Sequence, residues 1–145
     1  IGLHGIASSA HEMAALRTTT TLQSPIAQLK TLAPGDTVGY GRTWKADSVV
    51  RIATLPIGYA DGLSRRLSNG KGRVWINGRA APIVGNVCMD MVMVDVTTIP
   101  CSSDDMAIIF SPDHPVTELA KDMDTIPYEV LTSIAPRVKR VYLHG

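Results

Sequence analysis

Asn77-Gly78 stands between two short apolar-rich runs, Arg73 to Ile76 and Arg79 to Val84, and constrains the fold more than any other feature. A two-residue Asn-Gly link takes a type I′ turn whose twist matches that of the strands it joins, so it predicts a β-hairpin. Similar runs surround it: Val38 to Trp44, Ser48 to Gly58, Met91 to Val96 and Ala107 to Phe110 all read as short strands. Leu22, Ile26, Leu29 and Leu32 alternate loosely, and Pro25 confines that stretch to a sheet edge. Ala33-Pro34-Gly35-Asp36 is a turn, with proline and glycine supplying the backbone geometry. Arg137 to Leu143 alternates again and is predicted to be a final strand.

Helices are expected only in the last third. One opens at Pro115-Val116-Thr117-Glu118, with Thr117 as a cap and Leu119, Ala120 and Met123 on one face. A second runs from Tyr128 to Ile134, with Pro127 in its first turn and Pro136 as its stop. At the start of the chain, Ile1 to Ser9 reads as the end of a buried strand and a loop. His11 to Arg17 reads as a short helical turn, and Thr18 to Thr21 as extended chain. Many short strands with turn punctuation and one or two small helices argue a twisted β-barrel or sandwich.

The 145 residues suffice for one domain with a core, and a composition 45% hydrophobic and 19% charged is that of a folded chain. A formal net charge of +1 argues against nucleic-acid or membrane partners held by bulk electrostatics. No apolar run approaches the roughly 18 residues of a spanning helix. Cys88 and Cys101 are too few for a disulfide framework; with no secretory signal, a reduced, cytoplasmic setting is expected. His4, His11, His114 and His144 are scattered and form no metal-ligand spacing, so no metal site is expected. The chain begins at Ile1 within an apolar stretch, which reads as a piece of something longer.

No phosphate-binding loop and no Gly-x-Ser-x-Gly elbow is present. Asn69-Gly70-Lys71-Gly72 reads as a hairpin turn, and Asp104-Asp105 as a solvated one. The unusual features are two glycine-flanked tyrosines, Gly39-Tyr40-Gly41 and Gly58-Tyr59-Ala60-Asp61-Gly62. Glycine beside an aromatic within a strand marks a bulge or a close approach by ligand or backbone; otherwise the rings simply pack in a barrel core. Val84-Gly85-Asn86-Val87-Cys88-Met89-Asp90-Met91 leaves a similar choice between a site and a hairpin with a capping aspartate.

Together these segments resemble the alanine racemases. Pro34-Gly35-Asp36-Thr37-Val38-Gly39-Tyr40-Gly41-Arg42-Thr43-Trp44 is similar to that family's PG-x-x-VSYG-x-x-Y segment. Leu55-Pro56-Ile57-Gly58-Tyr59-Ala60-Asp61-Gly62 resembles its P-x-GYADG signature, and Ala81 to Asp90 its P-x-VGR-x-CMD stretch. Thr125-Ile126-Pro127-Tyr128-Glu129-Val130 is similar to its TI-x-YE motif. Tyr40 and Tyr59 stand 19 residues apart, the offset expected in that family.

The resemblance implies a mainly β fold, a Greek-key-type β-barrel with one or two short helices, which is the C-terminal domain of a pyridoxal 5′-phosphate (PLP) enzyme. Residues 1–9 would be the end of an absent N-terminal α/β barrel and its linker, and residues 10–145 the β-domain. The family works as a head-to-tail homodimer that interconverts L- and D-alanine, the latter for peptidoglycan. The barrel's lysine carries the cofactor and serves the D face. A tyrosine from the partner subunit's β-domain, matched here by Tyr40, is the acid–base group for the L face. Met89 matches the residue whose backbone N–H holds the substrate carboxylate, Tyr59 a gate of the substrate channel, and Tyr128 a tyrosine reaching the PLP phosphate. Asp61 and Asp90 are expected to stabilise turns.

None of Lys30, Lys45, Lys71, Lys121 and Lys139 has the context of the cofactor lysine, so the piece alone should be inactive. Read as a strand, Tyr40 and Arg42 would share a face, with Arg42 able to favour phenolate. Gly39 and Trp44 depart from the family's usual Ser and Tyr or Phe. Other functions compatible with these motifs are a serine or broad-specificity racemase and a non-catalytic β-barrel dimerisation module.

Overall fold

In a computed structural model, which describes residues 19–144, Asn77 and Gly78 have φ of 50° and 77°. Both lie in the left-handed region that a type I′ turn needs, and they join β6 (Arg73–Ile76) to β7 (Arg79–Val84) in antiparallel register. The other strands are β1 (Leu22–Pro25), β2 (Gln28–Leu32), β3 (Thr37–Val38), β4 (Trp44–Lys45), β5 (Val50–Leu55), β8 (Val92–Asp95) and β9 (Met106–Phe110).

Seven strands form one antiparallel sheet in the order β1-β9-β6-β7-β8-β5-β2, and β3 and β4 form a separate two-stranded ribbon. The run β9-β6-β7-β8 is a Greek key: three hairpin-connected strands with the fourth returning beside the first. The two edge strands, β1 and β2, are separated in the chain by Ile26 and Ala27 alone. The Ala27 N–H donates to the Thr54 carbonyl at 2.9 Å, extending the β2–β5 ladder. One bent strand therefore supplies both edges, and the sheet curls on itself into a barrel. Pro25 sits at the bend, the last residue of β1, where its missing N–H breaks no ladder.

The barrel interior is filled by alternate residues of its strands, among them Leu55, Val74, Ile76, Ile83, Val92, Val94 and Phe110, all fully buried. Helix α1 (Val116–Asp122) and helix α2 (Pro127–Ser133) cover this core. Val116, Leu119, Ala120 and Met123 form the buried face of α1, as the spacing predicts. Pro127 occupies the first turn of α2, where no N–H is needed. A second apolar cluster of Leu32, Val38, Ala46, Val50, Ile52, Val84 and Met93, with Trp44 against it, docks the β3–β4 ribbon on the barrel.

Four expectations change. Val38 to Trp44 is not one strand: Gly39, Gly41 and Arg42 have φ of 80°, 82° and 51°, and the chain turns through a 3₁₀ segment at Tyr40–Arg42. Tyr40 and Arg42 therefore share no strand face. Thr117 lies inside α1, not at its cap; Pro115 holds the cap position and its fixed extended conformation starts the helix directly after it. Asp90 caps no hairpin and is ion-paired instead.

Arg137 to Leu143 is not a strand either. Instead the Arg140 guanidinium donates to the carbonyls of Ala135 (2.6 Å), Val138 (2.7 Å) and Ile134 (3.1 Å), curling the tail. Val141, Tyr142 and Leu143 stay exposed. The expected strand end at Ile1 to Ser9 and the helical turn at His11 to Arg17 lie outside the described residues, as does the expected boundary at residue 9.

Candidate active site

At the end of the barrel where β5 and β7 leave and β8 enters, three connecting segments converge. The first follows β5 and contains the 3₁₀ turn Tyr59–Asp61. The second is the β7–β8 connection, residues 85–91. The third is the turn of the β3–β4 ribbon that carries Tyr40.

The first two segments interlock through their backbones. The Tyr59 N–H donates to the Cys88 carbonyl and the Ala60 N–H to the Met89 carbonyl, each at 3.0 Å. Gly58 makes this approach possible: a Cβ there would lie 2.2 Å from the Cys88 oxygen and 2.4 Å from the Met89 oxygen. Its backbone is extended, so the requirement is space and not a special dihedral. Of the two readings the sequence left for this glycine, the close approach of another backbone holds. The Asp61 carboxylate accepts the Gly58 N–H at 2.9 Å and closes the turn.

The ribbon turn meets the same loop. A Cβ on Gly39 would stand 3.5 Å from Met93 Cε and 3.9 Å from the Asn86 backbone nitrogen. Gly85, at φ of 67°, approaches the Val38 carbonyl closely enough that a Cβ would lie at 3.3 Å. The backbone of Tyr40 is thus held beside the loop that carries Met89.

The Tyr59 turn and the Met89 loop border a cleft of about 430 Å³ lined by Tyr59, Arg65, Asn86, Cys88, Met89 and Met91, among others. Tyr59 is 48% exposed and Met89 52%, a large apolar surface for a loop so well anchored. Among the described residues the Met89 N–H meets no acceptor, whereas the neighbouring Cys88 N–H donates to the Met91 carbonyl at 3.0 Å. Tyr128, 45% exposed, does not line the cleft. It sits near the N-terminal end of α2, about 7.5 Å along the helix axis from Ser133.

The C-terminal end of α2 and the tail, in contrast, press against the Tyr59 turn. A Cβ on Gly62 would lie 2.6 Å from the Ser133 carbonyl, and the Ala135 N–H donates to the Asp61 carbonyl at 3.0 Å.

Arg137, which the sequence placed in a final strand, joins these parts. Its Nε donates to Asp61 Oδ1 at 2.6 Å and its Nη2 to Asp90 Oδ1 at 2.8 Å. Its hydrogen bonds to these carboxylates, Asp61 first, hold the guanidinium pKa above its ordinary value. No local motif marks Arg137; the only signal was the presence of two aspartates directly after the residues of interest. Elsewhere, burial pushes the Cys101 thiol above its ordinary value, outweighing the nearby Arg51.

The residues present fit one wall of a PLP site and not its covalent anchor. Among the described residues, the cleft offers a backbone donor without an acceptor, aromatic surface and one guanidinium, and no lysine lines it.

Comparison with known proteins gives the family. A profile described as alanine racemase, C-terminal domain, matches residues 19–142. The alanine racemase of Sorangium cellulosum is 42% identical over 98% of this chain, which spans 40% of that protein. The alanine racemase of Cutibacterium acnes is 44% identical over 83% of the chain and 33% of its own length. Among solved structures, alanine racemase from Bartonella henselae with covalently bound pyridoxal phosphate superposes with a TM-score of 0.88 at 32% identity, over 98% of this chain and 40% of that one. Alanine racemase from Clostridium difficile in complex with cycloserine gives a TM-score of 0.86 at 37% identity, over 97% and 38%. The chain thus spans about two fifths of the length of its relatives, and its motifs, its Greek-key barrel and these matches together make it a member of the alanine racemase C-terminal domain family.

Proposed function

We propose that this chain is the β-domain of an alanine racemase and supplies the acid–base group for the L face of the substrate to a site completed by a partner subunit. The observation that carries the reading is that the Tyr59 turn and the backbone of the Tyr40 turn both pack against the loop that carries Met89. Residues 10–145 form this domain in the proposal, and residues 1–9 lead from an N-terminal α/β barrel.

PLP, when bound by that barrel, withdraws electron density from the substrate's Cα and makes its hydrogen acidic. Tyr128, which stands outside the cleft, would hold the phosphate of that cofactor. The Met89 N–H, without an acceptor among the described residues, donates to the substrate carboxylate; a backbone donor on a fixed loop costs little reorganisation. Tyr59, half-exposed at the rim, gates access and restricts the side chain to the size of alanine. Tyr40 Oη takes the proton from Cα of L-alanine and returns one there in the reverse direction.

A phenol of pKa about 10 is mostly protonated at pH 7, so Tyr40 needs partners from the barrel to act as a base. The half-exposed Tyr59 and Met89 lie on the face where the partner subunit's barrel docks, in a homodimer. The relatives are bacterial enzymes, which supports a cytoplasmic role in making D-alanine for peptidoglycan.

The test is α-hydrogen exchange in heavy water by the full-length enzyme. Tyr40→Phe is expected to lower exchange from L-alanine by roughly 100-fold or more, the usual contribution of a positioned acid–base group, with D-alanine exchange less affected. Exchange from L-alanine near the unsubstituted rate overturns the assignment.

A further inference from the structure

We propose that Arg137 is a positioning residue for the cleft, fixing the Tyr59 turn and the Met89 loop relative to each other from the C-terminal tail. This rests on the function proposed above.

The two loops are joined by two backbone hydrogen bonds lying side by side, from Tyr59 to Cys88 and from Ala60 to Met89. Upstream of Met89 the loop is also tied down, since the Val87 N–H donates to Ser68 Oγ at 2.9 Å and the Asn69 N–H to the Gly85 carbonyl at 2.8 Å, but downstream of Met89 neither of these bonds restrains it. Arg137 adds a restraint on that downstream side, at Asp90. Its two donors reach carboxylates on different loops, Asp61 two residues after Tyr59 and Asp90 one residue after Met89. Asp61 is only 12% exposed and is itself fixed by the Gly58 N–H, so one arm of the clamp is rigid. Arg137 and Asp90 are half-exposed, so the other arm can be removed with little harm to the fold. The base of Arg137 is anchored as well, because Ala135 donates to the Asp61 carbonyl and Arg140 gathers the carbonyls around it.

The planar guanidinium is suited to this task. Nε and Nη2 lie in one plane and point at two acceptors at once, whereas a lysine ammonium on a flexible stem carries no such fixed fork. What the clamp sets is the position of the Met89 N–H opposite Tyr59, that is, the hold on the substrate's carboxylate. Proton transfer by Tyr40 lies outside it. Loss of Arg137 is therefore expected in KM, equally for both enantiomers, since the carboxylate is common to them.

The experiment uses the full-length enzyme with PLP bound and measures kcat and KM for L- and D-alanine. Arg137→Gln is expected to raise both KM values about tenfold while kcat stays within about twofold, the signature of lost uniform binding. Arg137→Lys should recover part of the loss, and Asp90→Asn should raise both KM values by about threefold. The double variant Asp90→Asn/Arg137→Gln should be no worse than Arg137→Gln alone, because both act through one contact. Should Arg137→Gln fold poorly, Asp90→Asn carries the test, and an unchanged KM in it overturns the proposal. An additive double variant, or a fall in kcat with unchanged KM, overturns it too. A normal L-alanine rate in Tyr40→Phe would remove the catalytic reading and leave the KM pattern standing, whereas an inactive Tyr40→Phe with unchanged KM in Arg137→Gln removes this proposal alone.

Discussion

Gly58 shows how far a single residue could be read from the chain. Glycine next to an aromatic signalled a close approach, and two carbonyl oxygens occupy the space where its Cβ would be. Those oxygens belong to backbone and cannot rotate away, so Gly58→Ala must separate the Tyr59 turn from the Met89 loop. We expect a loss of about 2–3 kcal/mol in stability, typical of overpacking, together with a raised KM for alanine in the full-length enzyme. Thermal unfolding and steady-state kinetics check both. Asp61 was likewise legible as a turn stabiliser, and it closes the Gly58–Asp61 turn through its carboxylate. Arg137 was not, because its partners lie 76 and 47 residues away in the chain and only the fold brings them together.

Elements were legible where local chemistry decides them. Asn77-Gly78 dictates its turn by backbone dihedrals alone, and no atom lies within 4 Å of a Cβ on Gly78. Gly78→Ala therefore isolates backbone strain from packing. It is expected to destabilise by about 1 kcal/mol, the cost of a non-glycine residue in left-handed geometry, and to lower Tm by about 3 °C without changing kinetics. Strands β5 to β9 follow from β-branched alternation for the same reason. The ribbon turn at Tyr40 was misread because its apolar flanks mimic a continuous strand, while the positive dihedrals at Gly39, Gly41 and Arg42 interrupt it. Alternation in Arg137 to Leu143 misled for another reason: the Arg140 guanidinium holds three nearby carbonyls and Arg137 two distant carboxylates, contacts that a period-two pattern does not announce.

The sheet as a whole is closed by a feature that no local pattern announces, one bent strand that serves as both β1 and β2. Closure fixes the end of the barrel at which the Tyr40, Tyr59 and Met89 segments meet. It also leaves them on an exposed face with no lysine lining the cleft. In the proposed function this cleft is one half of a site, and the chain spans one third to two fifths of its relatives' length. The motifs carried the family assignment, and the barrel supplied what they lacked, namely which residues share a cleft and which, like Tyr128, stand apart from it.

The division of labour between subunits can be tested with two inactive full-length variants. One carries Tyr40→Phe; the other keeps Tyr40 but lacks the cofactor lysine of its N-terminal barrel. If the tyrosine serves the neighbouring subunit, a mixed dimer contains one site with an intact lysine and an intact tyrosine. Racemisation of L-alanine, measured after co-refolding the two variants, is then expected to reappear where neither alone has it. If the mixture stays as inactive as its components while mixed dimers are present, the phenol does not act across the interface, and the cross-subunit role of Tyr40 is contradicted.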